Sequence, residues 1–308
     1  MKNRLISLVA ACLLAPTMLV AAENKPLDEN GISVKGDCAA IAAAPDGSAY
    51  LLMRDHRVVK VDYEGAVSEI ALPKPENIDD GDYYADIAAD DNCIYLSNYS
   101  YSGIFYLDLC KPDKLNLMKL QWEGKSINPM MVSKSGDSWC IRDAEERIFK
   151  VDEKSGMTLL PKNSYVELDG KGQSLIQQIP EQQGDTIVYP GKVNNSDGTL
   201  RWAAPAPVAP RQIMSIDYLG YDTDQNRDIY LVYEASGELD EQVKAYSLKN
   251  GDIDAERFIP VGTIDTISRY CKVTADGAII AVYADEQNPD KVILKRFELK
   301  KGNKGFAG

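Results

Sequence analysis

The sequence predicts an all-β fold: a single six-bladed β-propeller of four-stranded antiparallel blades, closed by an N-terminal strand. Three observations predict it. A turn–strand–turn–strand phrase, first met as Ala44-Pro45-Asp46-Gly47-Ser48-Ala49-Tyr50-Leu51-Leu52 and running on through Val58-Val59-Lys60-Val61-Asp62-Tyr63-Glu64-Gly65, returns along the chain. Its turns recur about every 40–50 residues, the length of a blade of four strands. The strands are short and apolar on both faces, so one sheet alone cannot cover itself. Stacking such sheets around an axis buries both faces, and closing the ring removes long exposed edges. The competing arrangement, a β-sandwich or two separate β domains, explains the regular spacing less well.

Each element has its own justification. Asp46-Gly47 is a tight-turn signal, because Gly accepts positive φ and Asp hydrogen-bonds its own backbone. Tyr50 to Leu52 is a β-prone run, residues 54–57 break it, residues 58–61 form a second strand, and residues 67–72 can form a further one. Asp91-Asn92 precedes Ile94-Tyr95-Leu96 and Ile104-Phe105-Tyr106-Leu107. Ser135-Gly136-Asp137 precedes Trp139-Cys140-Ile141 and Ile148-Phe149-Lys150-Val151. Gln183-Gly184-Asp185 precedes Ile187-Val188-Tyr189, the weakest copy, continued by Leu200-Arg201-Trp202. Asp224-Gln225-Asn226 precedes Ile229-Tyr230-Leu231-Val232, and Asp276-Gly277 precedes Ile279-Ile280-Ala281-Val282. The last copy lacks an outer strand, since the chain after Leu299 is Lys- and Gly-rich. Ile32-Ser33-Val34 is expected to supply that strand by pairing with the last blade.

Three segments divide the chain. Residues 1–22 read as a secretory signal: Lys2 and Arg4, an apolar stretch containing Pro16, then Val20-Ala21-Ala22 as a small-residue cleavage site. Val9-Ala10-Ala11-Cys12 only faintly resembles a lipobox, so cleavage near residue 22 is favoured over lipidation. Residues 23–299 form the propeller, and residues 300–308 are a basic, Gly-containing tail. The expected location is secreted or periplasmic, with no segment suited to span a bilayer. The 308 residues carry 47 Asp plus Glu against 34 Lys plus Arg, and loss of Lys2 and Arg4 with the signal lowers the basic count to 32. Such a field repels phosphate backbones and anionic membranes, which argues against nucleic-acid partners.

Export makes disulfides possible. The mature chain has five cysteines, Cys38, Cys93, Cys110, Cys140 and Cys271. A hairpin turning near Ser100 would bring Cys93 close to Cys110, and that bridge is favoured; a closed ring would make Cys38 and Cys271 neighbours at the seam, a second candidate bridge although their registers differ by a few residues, leaving Cys140 as a buried apolar residue. The spacing lacks a zinc signature.

No catalytic motif stands out. A triad would have to use His56, the only histidine, which sits in a loop between strands without a nucleophile elbow. Gly170-Lys171-Gly172 lacks the spacing of a phosphate loop. The best candidate for a metal is Asp222, Asp224, Asn226 and Asp228, whose alternating oxygens are what calcium asks of a loop. That loop nonetheless lacks the central Gly and distant Glu, and it occupies a turn position. Asp79-Asp80-Gly81-Asp82 is a second acidic stretch.

In a propeller the loops between second and third strands share a face with the loops joining one blade to the next. Arg54, His56, Tyr83, Tyr84, Tyr99, Tyr101, Trp122 and Arg142 are expected to converge there. Tyr, Trp and Arg are the residues that carry binding energy at interfaces. Acidic loops among them suggest a partner with basic or amide groups.

The phrase at residues 44–62, with its relatives at 88–108 and 273–297, resembles the six-bladed propeller superfamily of TolB-like, NHL and SMP-30/yellow-type proteins. The resemblance spans nearly the whole mature chain and implies the architecture. Its gluconolactonase-like branch implies a central calcium held by Glu and Asn residues, which cannot be assigned residue by residue here. The favoured function is an exported binding or scaffold propeller, without cofactor, that docks a protein or peptide of the envelope or extracellular space. The alternative is a calcium-dependent lactonase- or lyase-like enzyme with its site in the central tunnel.

Overall fold

A computed structural model of the protein describes residues 26–73, 84–152, 156–184, 186–237, 240–261 and 267–299. The expected signal, the C-terminal tail, Asp79-Asp80-Gly81-Asp82 and Tyr83 lie outside the described residues. Among the described residues no helix is long and apolar enough to cross a membrane.

The described strands form six four-stranded antiparallel sheets. Blade 1 comprises Cys38–Ala43, Ala49–Met53, Val58–Val61 and Val67–Ile70, from the axis outwards. Blade 2 comprises Tyr84–Ala89, Cys93–Asn98, Gly103–Asp108 and Leu115–Lys119. Blade 3 comprises Pro129–Ser135, Ser138–Asp143, Ile148–Asp152 and Gly156–Leu159. Blade 4 comprises Ser164–Leu168, Ser174–Gln177, Lys192–Asn195 and Leu200–Ala203. Blade 5 comprises Gln212–Asp222, Arg227–Ala235, Glu241–Lys249 and Asp252–Ile259. Blade 6 takes Cys271–Val273, Ile279–Ala284 and Lys291–Phe297 from the C-terminal end, and its outer strand is Ile32–Lys35. The register Ile32↔Leu294 and Val34↔Val292 closes the ring as the sequence predicts.

Period-2 alternation sends successive side chains to opposite neighbours. In blade 1, Leu51 and Met53 join Ile280, Val282 and Leu294 of blade 6. The intervening Tyr50 and Leu52 join Ile94, Leu96 and Phe105 of blade 2. Leu51 and Leu52 are both essentially inaccessible. Burying such a leucine stabilises by about 1.5–3 kcal/mol relative to exposure, and here both faces of every blade collect that gain.

Several of the turns after the inner strands share one device. An Asp side chain accepts from backbone N–H groups ahead of it: Asp46 from Ser48 at 2.9 Å, Asp90 from Asn92 and Cys93 at 2.9 and 2.8 Å, and Asp169 from Lys171 and Gln173 at 2.9 Å each. This corrects the reading of blade 4. Its turn is Asp169-Gly170-Lys171-Gly172, and Gln183-Gly184-Asp185 instead belongs to an extra hairpin, Glu181–Gln183 with Thr186–Val188, inserted between the second and third strands. Ile187, 56% exposed, packs into no blade.

The cysteine expectations are also corrected. All five described thiols are free. The hairpin of blade 2 pairs Cys93 with Asp108, so Cys110 lies past the strand end in an exposed turn. Cys38 pairs with Met53 and Cys271 with Ala281, and the two sulfurs enter different interblade cores.

Candidate binding site on the loop-rich face

The loops between second and third strands and the interblade connections emerge on the same face, where the inner strands begin. On that face a cavity of about 490 Å³ opens off-axis, between blades 1 and 2 and beside blade 6. It is lined by Ala39, Met53, Arg54, His56, Tyr84, Ala85, Tyr99 and Arg269. Four of the eight residues expected on this face therefore meet in one place.

Local geometry explains why. His56 has φ 70, the left-handed conformation that completes a tight turn between Met53 and Arg57. Its N–H donates to Met53 O at 3.0 Å, and Met53 N–H donates to Arg57 O at 2.8 Å. Arg57 pins the turn from outside through Asp55 at 2.8 Å, Glu69 at 3.1 Å and the Lys35 carbonyl at 3.2 Å. The His56 ring meets Tyr84 edge-on, centroids 6.0 Å apart. Tyr84 in turn packs on Phe105 at 5.9 Å, and burial pushes its phenol well above the usual range. Arg54 reaches outward to Asp37 at 2.9 Å, with both side chains mostly exposed. Asn128, on the connection to blade 3, fastens the Tyr99 loop by donating to Tyr99 O at 3.4 Å and accepting from Ser102 Oγ at 2.8 Å.

The other expected residues go elsewhere. Tyr101 stacks edge-on against Phe105 at 5.6 Å, behind Tyr84. Trp122 belongs to a small hairpin between blades 2 and 3, where it packs on Phe149 at 5.6 Å. Arg142 lies within a strand, opposite Met131 and Ile148; Trp139 and Ile141 face blade 2, so alternation turns Arg142 away from it, towards blade 4. Arg269 is the residue sequence reasoning missed. Its only signal was closure: a side chain just before the inner strand of blade 6 must lie at the rim beside blade 1. The expectation of a basic partner also changes, because the cavity itself presents Arg54, Arg269 and His56.

A second cavity of about 360 Å³ lies on the axis and opens towards the opposite, turn-bearing face. The inner strands of all six blades line it, including Ala42, Ile87, Val132, Glu167, Leu219 and Lys272. Lys272 Nζ lies 3.1 Å from Glu167 Oε1, a pair between blades 6 and 4. Burial alone would lower the Lys272 ammonium, but Glu167 and Asp86 outweigh it and raise its pKa. Asp86 is buried, accepts from Ile87 N at 2.9 Å and Val132 N at 3.0 Å, and is still raised by desolvation. Desolvation, helped by the Glu167 charge, pushes Asp217 up to about 6.

The four residues considered for calcium do not converge. Asp222 Oδ1 accepts from Asp224 N at 3.0 Å and Gln225 N at 2.9 Å, as in the other turns. Asn226 accepts from the Tyr221 hydroxyl at 3.1 Å. Asp228, on the following strand, binds Arg201 at 2.6 Å and the Tyr218 hydroxyl at 3.1 Å. Among the described residues no group of three or more His, Cys, Asp or Glu side chains is placed to hold a metal ion.

No protein-family model matches the sequence. No curated protein matches it. Solved structures match in fold. The PQQ-bound aldose sugar dehydrogenase of Streptomyces coelicolor is 14% identical with a TM-score of 0.46, covering 89% of this chain and 100% of that one. A streptogramin B lyase is 12% identical with a TM-score of 0.45, covering 89% and 97%. The WD40 β-propeller domain of Doa1 is 11% identical with a TM-score of 0.52, covering 89% of this chain and 97% of that one. This last likeness agrees with the propeller fold, and strand order and closure make the chain a six-bladed β-propeller.

Proposed function

We propose that this chain is an exported binding module that captures a protein or peptide through the loop-rich face, with the cavity between blades 1 and 2 as its anchor pocket. One observation carries the reading: Arg54, His56, Tyr84, Tyr99 and Arg269, drawn from three blades, line a single opening. Tyr and Arg dominate binding energy at interfaces because they combine large apolar area with directional polar groups. Tyr99, 43% exposed at the rim, continues the pocket onto the surrounding loops. The signal-like pattern of residues 1–22 supports export.

The test is selection of displayed peptides on the immobilised protein beginning at residue 23. Selected peptides should lose at least about tenfold in affinity on Tyr99→Ala, roughly the effect of one interface hot spot. They should be indifferent to Ile253→Ala on the outer strand of blade 5. Selection that yields only binders indifferent to Tyr99→Ala would refute the assigned face. N-terminal sequencing of the protein recovered from the cell envelope should begin at residue 23.

A further inference from the structure

We infer that the pocket between blades 1 and 2 recognises a carboxylate joined to an apolar group. This rests on the loop-face reading and names the chemistry that the face takes. Among the described residues the polar lining is one-sided: Arg54, Arg269, His56 and the hydroxyls of Tyr84 and Tyr99, with no carboxylate. In a chain with formal charge −13, such a concentration of cations and donors is a local exception. No ion pair to Arg269 occurs among the described residues. Among the described residues Arg54 pairs only with Asp37, in a pair 60% and 65% exposed. Exposed pairs of this kind contribute little, so an incoming carboxylate can displace Asp37 at little cost.

An independent observation points the same way. Asn98 is completely buried and its Nδ2 has no acceptor among the described residues. The amide orientation is fixed, because Oδ1 accepts from Ser100 N at 2.8 Å. Asn98 lies opposite Tyr84 in the strand pair. Ile94 and Leu96, four and two residues earlier, face blade 1, so alternation turns Asn98 to the same side as the pocket. A buried amide N–H₂ without an acceptor is costly, and a ligand oxygen that reaches past Tyr84 to Asn98 would recover that cost.

The remaining lining sets the rest of the ligand. Ala39, Met53 and Ala85 are apolar, and the Tyr84 and Tyr99 rings flank them. This apolar surface takes the uncharged part of the ligand, and a guanidinium fork matches one planar carboxylate. The negative field of the whole molecule also opposes a dianionic phosphate more strongly than a single charge. On a peptide, the matching group is a C-terminal apolar residue with its free carboxylate, or a Glu side chain beside an apolar residue.

Three probes separate these sources: acetyl-Ala-Ala-Leu with a free carboxylate, the same peptide amidated, and amidated acetyl-Ala-Glu-Leu. Calorimetric titration of the protein beginning at residue 23 should show binding of the first or the third at least tenfold tighter than the neutral amide. Whichever of the two binds identifies the source. Arg269→Gln and Arg54→Ala should each reduce that binding about tenfold, with circular dichroism melting unchanged for the exposed Arg54. Equal affinity for charged and neutral peptides, or no binding of either charged probe, overturns the inference. If displayed peptides are then still captured through Tyr99, the loop-face reading stands and only the carboxylate assignment falls.

Discussion

Asp217, on the inner strand of blade 5, shows how a single residue responds to desolvation. Its pKa is raised to about 6, so its burial favours the neutral acid. With a folded pKa above the unfolded one, no penalty exists below about pH 4, and stability falls as pH rises towards and through 6. Asp217→Asn removes that ionisation. Its stability relative to the parent should be near zero at pH 4 and reach about 2 kcal/mol in favour of Asn at pH 7.5, after allowance for partial solvation of the tunnel wall. Denaturant unfolding at the two pH values checks it. The cysteines make a second residue-scale prediction. Burial pushes the Cys38 and Cys271 thiols up to about 12 and raises Cys140 as well, whereas Cys110 is exposed. Alkylation of the native protein followed by mass spectrometry should label Cys110 first and spare those three until unfolding. At this scale, Arg54, His56 and Tyr99 were legible because they sit in loops that break apolar runs. Arg142 was expected in a loop, but the strand runs on to Asp143, and alternation sets Arg142 on the side opposite Ile141. Asn98 was not legible at all, since nothing in a sequence shows which buried amide goes unpartnered.

At the scale of elements, the turn chemistry was the most readable part of the chain. Asp-Gly before an apolar run located the turns of blades 1 and 6, where Gly47 and Gly277 have φ of 80 and 81. It failed in blade 4, where a β-prone insertion imitated the repeated phrase while the true turn, at Asp169, lacked a long apolar run after it. Exposure of Ile187 and Ile179 marks the inserted hairpin as peripheral. Replacing residues 179–190 by a short turn should change stability by less than about 1 kcal/mol, measured by thermal unfolding. Gly103 is the opposite case. It opens the third strand of blade 2 with φ 151, and a Cβ there would overlap the Met118 carbonyl on the outer strand. Gly103→Ala should destabilise by about 2–4 kcal/mol, because both the backbone conformation and the strand spacing must change.

The whole molecule depends on closure, which brings the blade 1 turn carrying Arg54 and His56 beside Arg269 of blade 6. The seam is reinforced beyond the four paired residues of Ile32–Lys35. Arg296 N–H donates to Asp28 O at 2.9 Å, and Leu27, buried in the seam core, donates its N–H to Tyr63 O at 3.1 Å. Arg296 itself is buried, paired with Asp276 at 2.5 Å and Glu298 at 2.9 Å, and lies over the Tyr63 ring at 5.1 Å. The six copies and the missing last outer strand made this architecture legible from the sequence, since an unpaired blade edge has to find a partner somewhere in the chain. Native-state hydrogen exchange tests it most directly. If the ring is closed as described, ladder amides of residues 32–35 and 291–294 should exchange only through global unfolding, with the same protection as the core strands of blades 1 and 2. Exchange of residues 32–35 within seconds, while those cores stay protected, would contradict the closure and with it the pocket that closure builds.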